Sequence, residues 1–546
     1  MLLAYFYNRF WWPVDEGVYA YVAQRILAGD VLHRDIMDLH AGSVNFFHAL
    51  VFRMFGEDLV ALRYPLVVAT LLQSLMAGLL VRDRGPLIGA TAVFAVAGLS
   101  FIQFLNPSGN WYALFLALLT CWCLRVVDWK RGRGAILIGA CLGTCFLFRQ
   151  LSGVFLAMGV LTFMLVNTDP SGVRSRAVLS RTLFAIMLCG LAGYLWVKGS
   201  PTAFVLFGAG PAALLALAMI RTRADDRQVL SLTLKLALGF VAATTPLLAY
   251  HASQGSVVPW LNDTLFTALR VDALPFIGNA SFLPLILEAG AGLWRVDQPG
   301  IVLNAVFWLG LMLAAPLLGF LVVAQFVDDA KVFEDRPLPI VALFFALGAS
   351  FFQIPLHIFF VIPPVLVALL WFVSARYPLR SSAVLTAVVV IGIVFQAGQP
   401  VSRGWLGVVH GTRVPLDAEN GLPRAALAME RSDQTAFTEI LTEIAVHARP
   451  DEPVFTIPME PEINFLSARR SPVHYYNTAM GLQSDDDVHQ SLARLLDAAP
   501  LFVVHRRQDK YLTPRSAVLL DEIRKRSPPA KTIGPFDLYR MPAEAP

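Results

Sequence analysis

A polytopic α-helical membrane protein with a small C-terminal α/β domain is the fold class this sequence predicts, and three observations predict it. Apolar stretches of membrane-spanning length recur between Leu59 and Gly398, with only short connectors between them. The chain is 56% hydrophobic and only 15% charged, with a mean hydropathy of +0.61. From about Gln399 onward the composition turns to that of a soluble domain, with strand-like and helix-like segments in alternation.

Taken in order, Met1 to Trp12 is apolar except for Asn8 and Arg9. Twelve residues of helix rise only about 18 Å against a hydrocarbon core of about 30 Å, so the expectation is a first span that begins upstream of Met1; a helix that only dips into the bilayer is the alternative. Arg9 interrupts the run and no small-x-small site precedes Asp15, which argues against a signal peptide. Trp11 to Gly56 then gathers Asp15, Glu16, Asp30, Asp35 and Asp38. The pair Asp15-Glu16 follows a proline close to an apolar segment, so two carboxylates are expected at a membrane surface, where burial can tune their basicity. Val18 to Leu27 reads as an amphipathic helix lying along the interface.

Apolar spans are expected at 59–81, 87–105, 111–127, 135–148, 152–166, 182–197, 202–220, 229–250, 301–327, 338–353, 357–373 and 382–398, about 12–13 transmembrane helices with the incomplete first one. Alternate connectors carry Arg82 and Arg84; Arg125, Lys130, Arg131 and Arg133; Arg174, Arg176 and Arg181; Arg221, Arg223 and Arg227; Lys331 and Arg336; Arg376 and Arg380. The opposite short connectors hold only Arg149 and Lys198. By the positive-inside rule the first set is cytoplasmic, which puts the Asp15 loop, the 251–300 segment and the tail outside. A multi-pass arrangement in a cytoplasmic membrane is therefore expected, with the acidic loop and the tail extracytoplasmic.

The 251–300 segment is too polar and Pro-broken to span; within it Leu261–Val271 reads as a short helix capped by Asn262, placed to lie beside the first loop and roof a cavity. In the tail, Glu452–Ile457, Pro500–His505 and Lys531–Arg540 read as strands, and Thr435–His447, Asp486–Ala498 and Pro514–Arg526 as helices. The expected organisation is therefore a membrane domain over 1–398, with extracytoplasmic loops at 13–58 and 251–300, followed by a soluble domain over 399–546. No Gly-rich phosphate loop occurs in that domain.

Some function classes are excluded early. A formal charge of +4 without a basic stripe of interleaved aromatics argues against nucleic acid. Cys121, Cys123, Cys141, Cys145 and Cys189 all lie in apolar segments, which argues against a disulfide framework or a Cys-rich metal site. Cys141 and Cys145, at i and i+4, read as small core residues.

The first loop carries a resemblance. Asp15-Glu16-Gly17-x-Tyr19, then Ala23-x-x-x-Leu27-x-Gly29-Asp30, then Arg34-Asp35 and an apolar run closing on Phe55-Gly56, is similar to the first extracytoplasmic loop of the GT-C glycosyltransferases. The bacterial members related to protein O-mannosyltransferases and aminoarabinose transferases are the nearest pattern. The Glu460-Pro-Glu-Ile-Asn-Phe-Leu-Ser-Ala-Arg-Arg470 segment also resembles tails of such proteins. The resemblance implies an integral-membrane enzyme that takes a sugar from a polyprenyl-phosphate donor to an extracytoplasmic glycan, lipid or protein, with Asp15 as the essential carboxylate. Relatives often continue with a Pro-Pro pair where this chain has Asp38-Leu-His-Ala-Gly-Ser43, so the acceptor side is expected to differ.

Such a transfer needs a base for the acceptor hydroxyl and cations for the departing lipid phosphate. Asp15 is the candidate base, with Glu16 orienting it or touching substrate; the plainer reading makes the pair a helix cap. Asp38 and His40 are candidates for holding the acceptor or a divalent cation, or form an ordinary polar loop. No other cofactor is expected. For the phosphate the candidates are Arg149, at an outer turn, Arg270 on the 261–271 helix, and His357 at an outer helix start, against snorkelling or structural parts for each. Arg469-Arg470 reads as a solvated turn, with acceptor binding the minor alternative. Two competing classes are a transporter or flippase for a lipid-linked glycan, and a non-catalytic membrane scaffold. Transporters place ionisable groups near the bilayer midplane, whereas the spans here are nearly free of charge.

Overall fold

Proline starts several of the described helices. Pro86, Pro201, Pro299 and Pro337 each open one, where a missing N–H costs nothing and the fixed φ suits the first turn. The computed structural model describes residues 2–9, 11–130, 132–168, 177–270, 281–375, 424–498, 502–507 and 510–541, with 383–384, 386–387, 413–414 and 422. Among them, seven helices are long and apolar enough to cross a membrane: Leu59–Leu80, Pro86–Gln103, Gly109–Val126, Val178–Lys198, Pro201–Arg221, Asp226–Ser253 and Pro299–Asp328. Shorter apolar helices at Gly134–Phe148, Gln150–Val166, Pro337–Ser350 and Ile362–Ser374 fall on the remaining expected spans. The 357–373 expectation is corrected in one respect: a short helix at Pro355–Ile358 precedes the break, and Pro363-Pro364 opens the longer one at Ile362. The expected span at 382–398 lies almost entirely outside the described residues, as do Arg131, Arg174, Arg176, Arg376, Arg380 and the expected domain boundary at 399. At the amino end the described helix is Leu2–Phe6.

The basic connectors converge at one end of the bundle. Asp83 receives Arg84 at 3.7 Å, Arg125 at 3.6 Å and Arg336 at 3.1 Å, three residues from three connectors. Lys130 pairs with Glu334 at 3.4 Å beside them. The first loop, the Arg149 turn, Lys198 and the Val257–Arg270 segment meet at another site, described below.

The described parts of the 251–300 segment are largely helical. One continuous helical run covers Val257–Leu261, Asn262–Thr267 and Ala268–Arg270, and Leu283–Gly292 forms another helix. The expected cap at Asn262 is therefore wrong: the helix starts a turn and a half earlier, after Ser256, because Trp260 and His251 pack there with ring planes 15° apart. Val271 lies outside the described residues.

The tail forms a four-stranded sheet in the order Val454–Ile457, Phe502–Arg506, Phe536–Arg540, Pro529–Ile533. The first pair is parallel and the other two antiparallel. Helices Arg431–His447, Asp485–Ala498 and Pro514–Arg526 match the expected ones. The strand expected over Lys531–Arg540 is in fact the greater part of a hairpin, because Gly534-Pro535 turns the chain. The tail sits on the first loop: Trp11 packs edge-on against Phe437 at 4.9 Å, and Phe52 stacks on Phe465 at 5.6 Å. All five cysteines are free, four of them buried and Cys189 exposed.

Candidate functional site

The site begins with the helix Pro13–Leu27, in whose first turn Asp15 and Glu16 stand side by side. Successive residues of a helix point about 100° apart, so the two carboxylates diverge. Glu16 turns inward. Its Oε1 takes Arg63 Nε at 2.8 Å and Nη2 at 2.7 Å, and its Oε2 accepts the Trp12 backbone N–H at 3.2 Å. Arg63 also donates Nη1 to the carbonyls of Tyr7 and Arg9, each at 3.0 Å, so the pair is buried and satisfied. Glu16 thus does what a helix-starting acid does, and anchors the helix as well.

Asp15 turns the other way and keeps some exposure. Its Oδ2 accepts from Asn106 Nδ2 at 3.4 Å. Burial raises its carboxyl above the usual range, opposed by the Asn106 hydrogen bond and by the charge of Lys510 from the tail. One turn further on, Tyr19 places its hydroxyl 3.3 Å from His40 Nε2 and 3.4 Å from Ser108 Oγ. Burial pushes the Tyr19 phenol up to about 12, so it stays a neutral donor.

Asp38 is fully buried and accepts from Leu39 N at 2.7 Å, His40 Nδ1 at 2.9 Å, Tyr476 Oη at 3.2 Å and Asn45 Nδ2. Burial alone would raise this carboxyl, but the partners His40 and Asn45 hold it low, at about 2. Asp38 and His40 therefore bond to each other as a dyad, with the carboxylate oxygens spent on protein donors. Among the described residues no three His, Cys, Asp or Glu side chains gather as a metal cluster.

Arg149 occupies the extended turn between the helices Gly134–Phe148 and Gln150–Val166, and its Nε donates to Asn110 Oδ1 at 3.1 Å. It lines a cavity of about 360 Å³ whose wall is otherwise mostly apolar: Leu39, Phe146, Leu151, Val154, Trp260, Leu265, Leu269 and Phe351 among others. Lys198 is the second cation on that wall, with Nζ donating to the Leu269 carbonyl. Trp260 ties the wall to the first loop by donating Nε1 to the Ala41 carbonyl at 2.9 Å, and His33 Nδ1 lies 3.0 Å from Asp263 Oδ2.

The remaining candidates fall at different distances from this centre. His357 is partly buried between the edges of Phe352 and Phe360, within the field of Arg149. Arg270 is exposed, and the cavity wall stops one residue before it, at Leu269. Arg469 donates to the Ala448 carbonyl at 3.0 Å, while Arg470 reaches Asp30 of the first loop at 3.5 Å. Sequence reasoning missed Asn106, Ser108, Asn110 and Tyr476, whose residue types carry no motif. Two signals were available for others: Tyr19 belongs to the quoted Asp-Glu-Gly-x-Tyr pattern, and Lys198 was one of the two basic residues on the sparsely charged side.

No family model matches this chain, and no curated protein matches it. Solved structures do. The chain is similar to ArnT from Cupriavidus metallidurans bound to undecaprenyl phosphate, at 12% identity over 99% of this chain and 96% of that one, with a TM-score of 0.36. The apo state of the same protein aligns at 13% identity over 97% and 94%, with a TM-score of 0.36. The apo oligosaccharyltransferase of Archaeoglobus fulgidus aligns at 12% identity over 92% of this chain and 66% of that one, with a TM-score of 0.41. At these identities the likeness assigns no side chain of this protein a role.

Proposed function

We propose that this protein is an integral-membrane glycosyltransferase that moves a sugar from a polyprenyl-phosphate donor to an acceptor hydroxyl on a glycan, lipid or protein outside the cytoplasm. The observation that carries the reading is the pairing of two cations, Arg149 and Lys198, on the wall of an otherwise mostly apolar cavity, beside a short segment, Asn106 to Asn110, whose side chains bond both Arg149 and the half-buried Asp15 carboxylate. An amphiphile with an isoprenoid body and a phosphate head suits such a wall, since the tail is desolvated while the head finds charge. Asp15 removes the acceptor proton, and the cations take up the charge that develops on the departing phosphate. Asp38 is fully engaged by protein donors, which leaves one carboxylate to act and favours a single displacement with inversion. Glu16 holds the Asp15 helix in place; Asp38 and His40 shape the acceptor side, and His357, within the field of Arg149, adds to the phosphate side.

The convergence of basic connectors on Asp83 supports a cytoplasmic placement for that end of the bundle, and with it an extracytoplasmic Asp15 loop, 251–300 segment and tail in a bacterial cytoplasmic membrane. On this reading 1–398 is the membrane domain and 399–546 the extracytoplasmic one. The test is to incubate the protein in sealed lipid vesicles with a radiolabelled polyprenyl-phosphate sugar and envelope extract. Label should pass to a species no longer carrying the lipid phosphate. Label that only crosses a vesicle membrane, with its lipid linkage intact, would instead make the protein a transporter.

A further inference from the structure

Three alternate residues of one short segment, the turn that leads into the helix Gly109–Val126, each hold a different member of the site. In Asn106-Pro107-Ser108-Gly109-Asn110, Asn106 Nδ2 reaches Asp15 Oδ2 at 3.4 Å, Ser108 Oγ lies 3.4 Å from the Tyr19 hydroxyl, and Asn110 Oδ1 accepts from Arg149 Nε at 3.1 Å. Asn106 and Ser108 are buried. We infer that this turn is the positioning element that fixes the base and the phosphate-binding cation at a set separation, with Asn106 orienting Asp15 and Asn110 orienting Arg149. This rests on the reading of Asp15 and Arg149 given above and adds the residues that aim them.

The amide orientations are determined by partners that can only donate. Trp111 Nε1 donates to Asn106 Oδ1 at 3.2 Å, which leaves the Nδ2 donor for the Asp15 carboxylate. Arg149 likewise takes the Asn110 oxygen, and Asn110 Nδ2 turns back to Ser108 Oγ at 2.8 Å. Ser108 also caps the helix Gly109–Val126 by accepting the Asn110 backbone N–H at 3.2 Å. Trp111 itself is fixed by Phe360 at a ring separation of 4.5 Å. Close approach to the Arg149 turn requires Gly109, because a Cβ there would sit 2.6 Å from the Phe148 carbonyl oxygen. The turn is thus wedged between the two site residues with its own polar atoms committed.

Chemically, the donor on Asn106 favours the ionised form of Asp15 that can act as base. An aspartate in its place keeps the shape and an oxygen for Trp111 but sets a second negative charge against Asp15. The acidic limb of the rate profile should therefore move to higher pH in Asn106→Asp, by about one unit or more, and less far in the same direction in Asn106→Ala. At the other end, Asn110→Ala should raise the donor KM about five- to tenfold with kcat changed little, and Asn110→Asp, whose carboxylate neutralises the Arg149 charge that the phosphate needs, should raise it at least as far.

Transfer rates against pH and donor concentration, measured in nanodiscs at matched protein level with Asp15→Asn and Arg149→Ala alongside, decide the matter. The inference is overturned if Asp15→Asn is inactive yet Asn106→Asp keeps the wild-type pH profile, or if Arg149→Ala loses donor affinity while Asn110→Ala does not. Wild-type activity in Asp15→Asn would remove the underlying assignment instead, a result distinguishable from the other two. Asn106→Asp is close in shape and volume, so its profile can be read even if Asn106→Ala fails to accumulate.

Discussion

Gly17 and Glu462 meet with no room for a methyl group between them: a Cβ on Gly17 would lie 2.4 Å from the Glu462 backbone nitrogen. The helix Pro13–Leu27 and the tail helix Pro461–Ser467 pack through this point, so the two segments that carried the sequence resemblance are physically one interface. Around it Tyr21 Oη accepts the Ser471 N–H at 2.8 Å, and Met37 N donates to the His474 carbonyl at 2.7 Å.

Gly17→Ala should accordingly destabilise the docked tail by about 1–3 kcal/mol, the usual cost of inserting a methyl where neither backbone can move freely. Limited proteolysis of the tail and a melt in detergent read this directly. A melt and a cleavage pattern equal to wild type would show that the interface gives way at no cost.

Asp15→Asn keeps the size of the side chain and removes the basic form, so the transfer rate should fall about 10²–10⁴-fold with a smaller effect on donor binding. Because burial raises the Asp15 carboxyl, wild-type activity should rise with pH through a point above the ordinary aspartate range, as the ionised form appears. A flat profile across that range, or wild-type transfer in Asp15→Asn, would return this residue to the helix-starting role that Glu16 already fills.

For the donor, Arg149→Ala should raise KM, and Arg149→Lys should recover part of the loss, since phosphate accepts a point charge although the planar fork is gone. Lys198→Ala should also weaken donor binding, because its ammonium lies on the same cavity wall, whereas Arg270→Ala should change little. Thermal stabilisation by added polyprenyl phosphate is the measurement, and equal stabilisation in all four variants would assign both cavity cations to membrane-surface snorkelling.

Asp38 has a depressed folded-state pKa of about 2, so its ionised form stabilises the native state above the ordinary aspartate pKa, and this is lost as pH falls toward 2. The shift corresponds to roughly 2 kcal/mol. Asp38→Asn should lower the melting temperature near neutral pH and flatten the acid dependence, because the His40, Asn45 and Tyr476 donors then face a neutral amide. Unchanged melting at both neutral and acid pH would mean that the buried network contributes nothing to stability.

What the sequence determined by itself was whatever follows from local period and composition. Apolar runs of spanning length must satisfy their backbone internally and so become helices, which is why the ends of Gly109–Val126 or Pro299–Asp328 fall within a few residues of the expected ones. The acidic pair at Asp15-Glu16 and the isolated cation Arg149 stood out because charge is costly in such surroundings. The tertiary structure alone decided which carboxylate is free. Asp15 and Glu16 are neighbours in sequence, yet Arg63, 47 positions beyond Glu16, captures one and leaves the other to Asn106. The same holds for Asp38, whose partner Tyr476 lies 438 residues away, and for Arg270, which the end of the Val257–Arg270 helical run carries past the cavity that Lys198 reaches. Such pairings depend on where packing brings distant segments together, and neither hydropathy nor spacing within one segment encodes that.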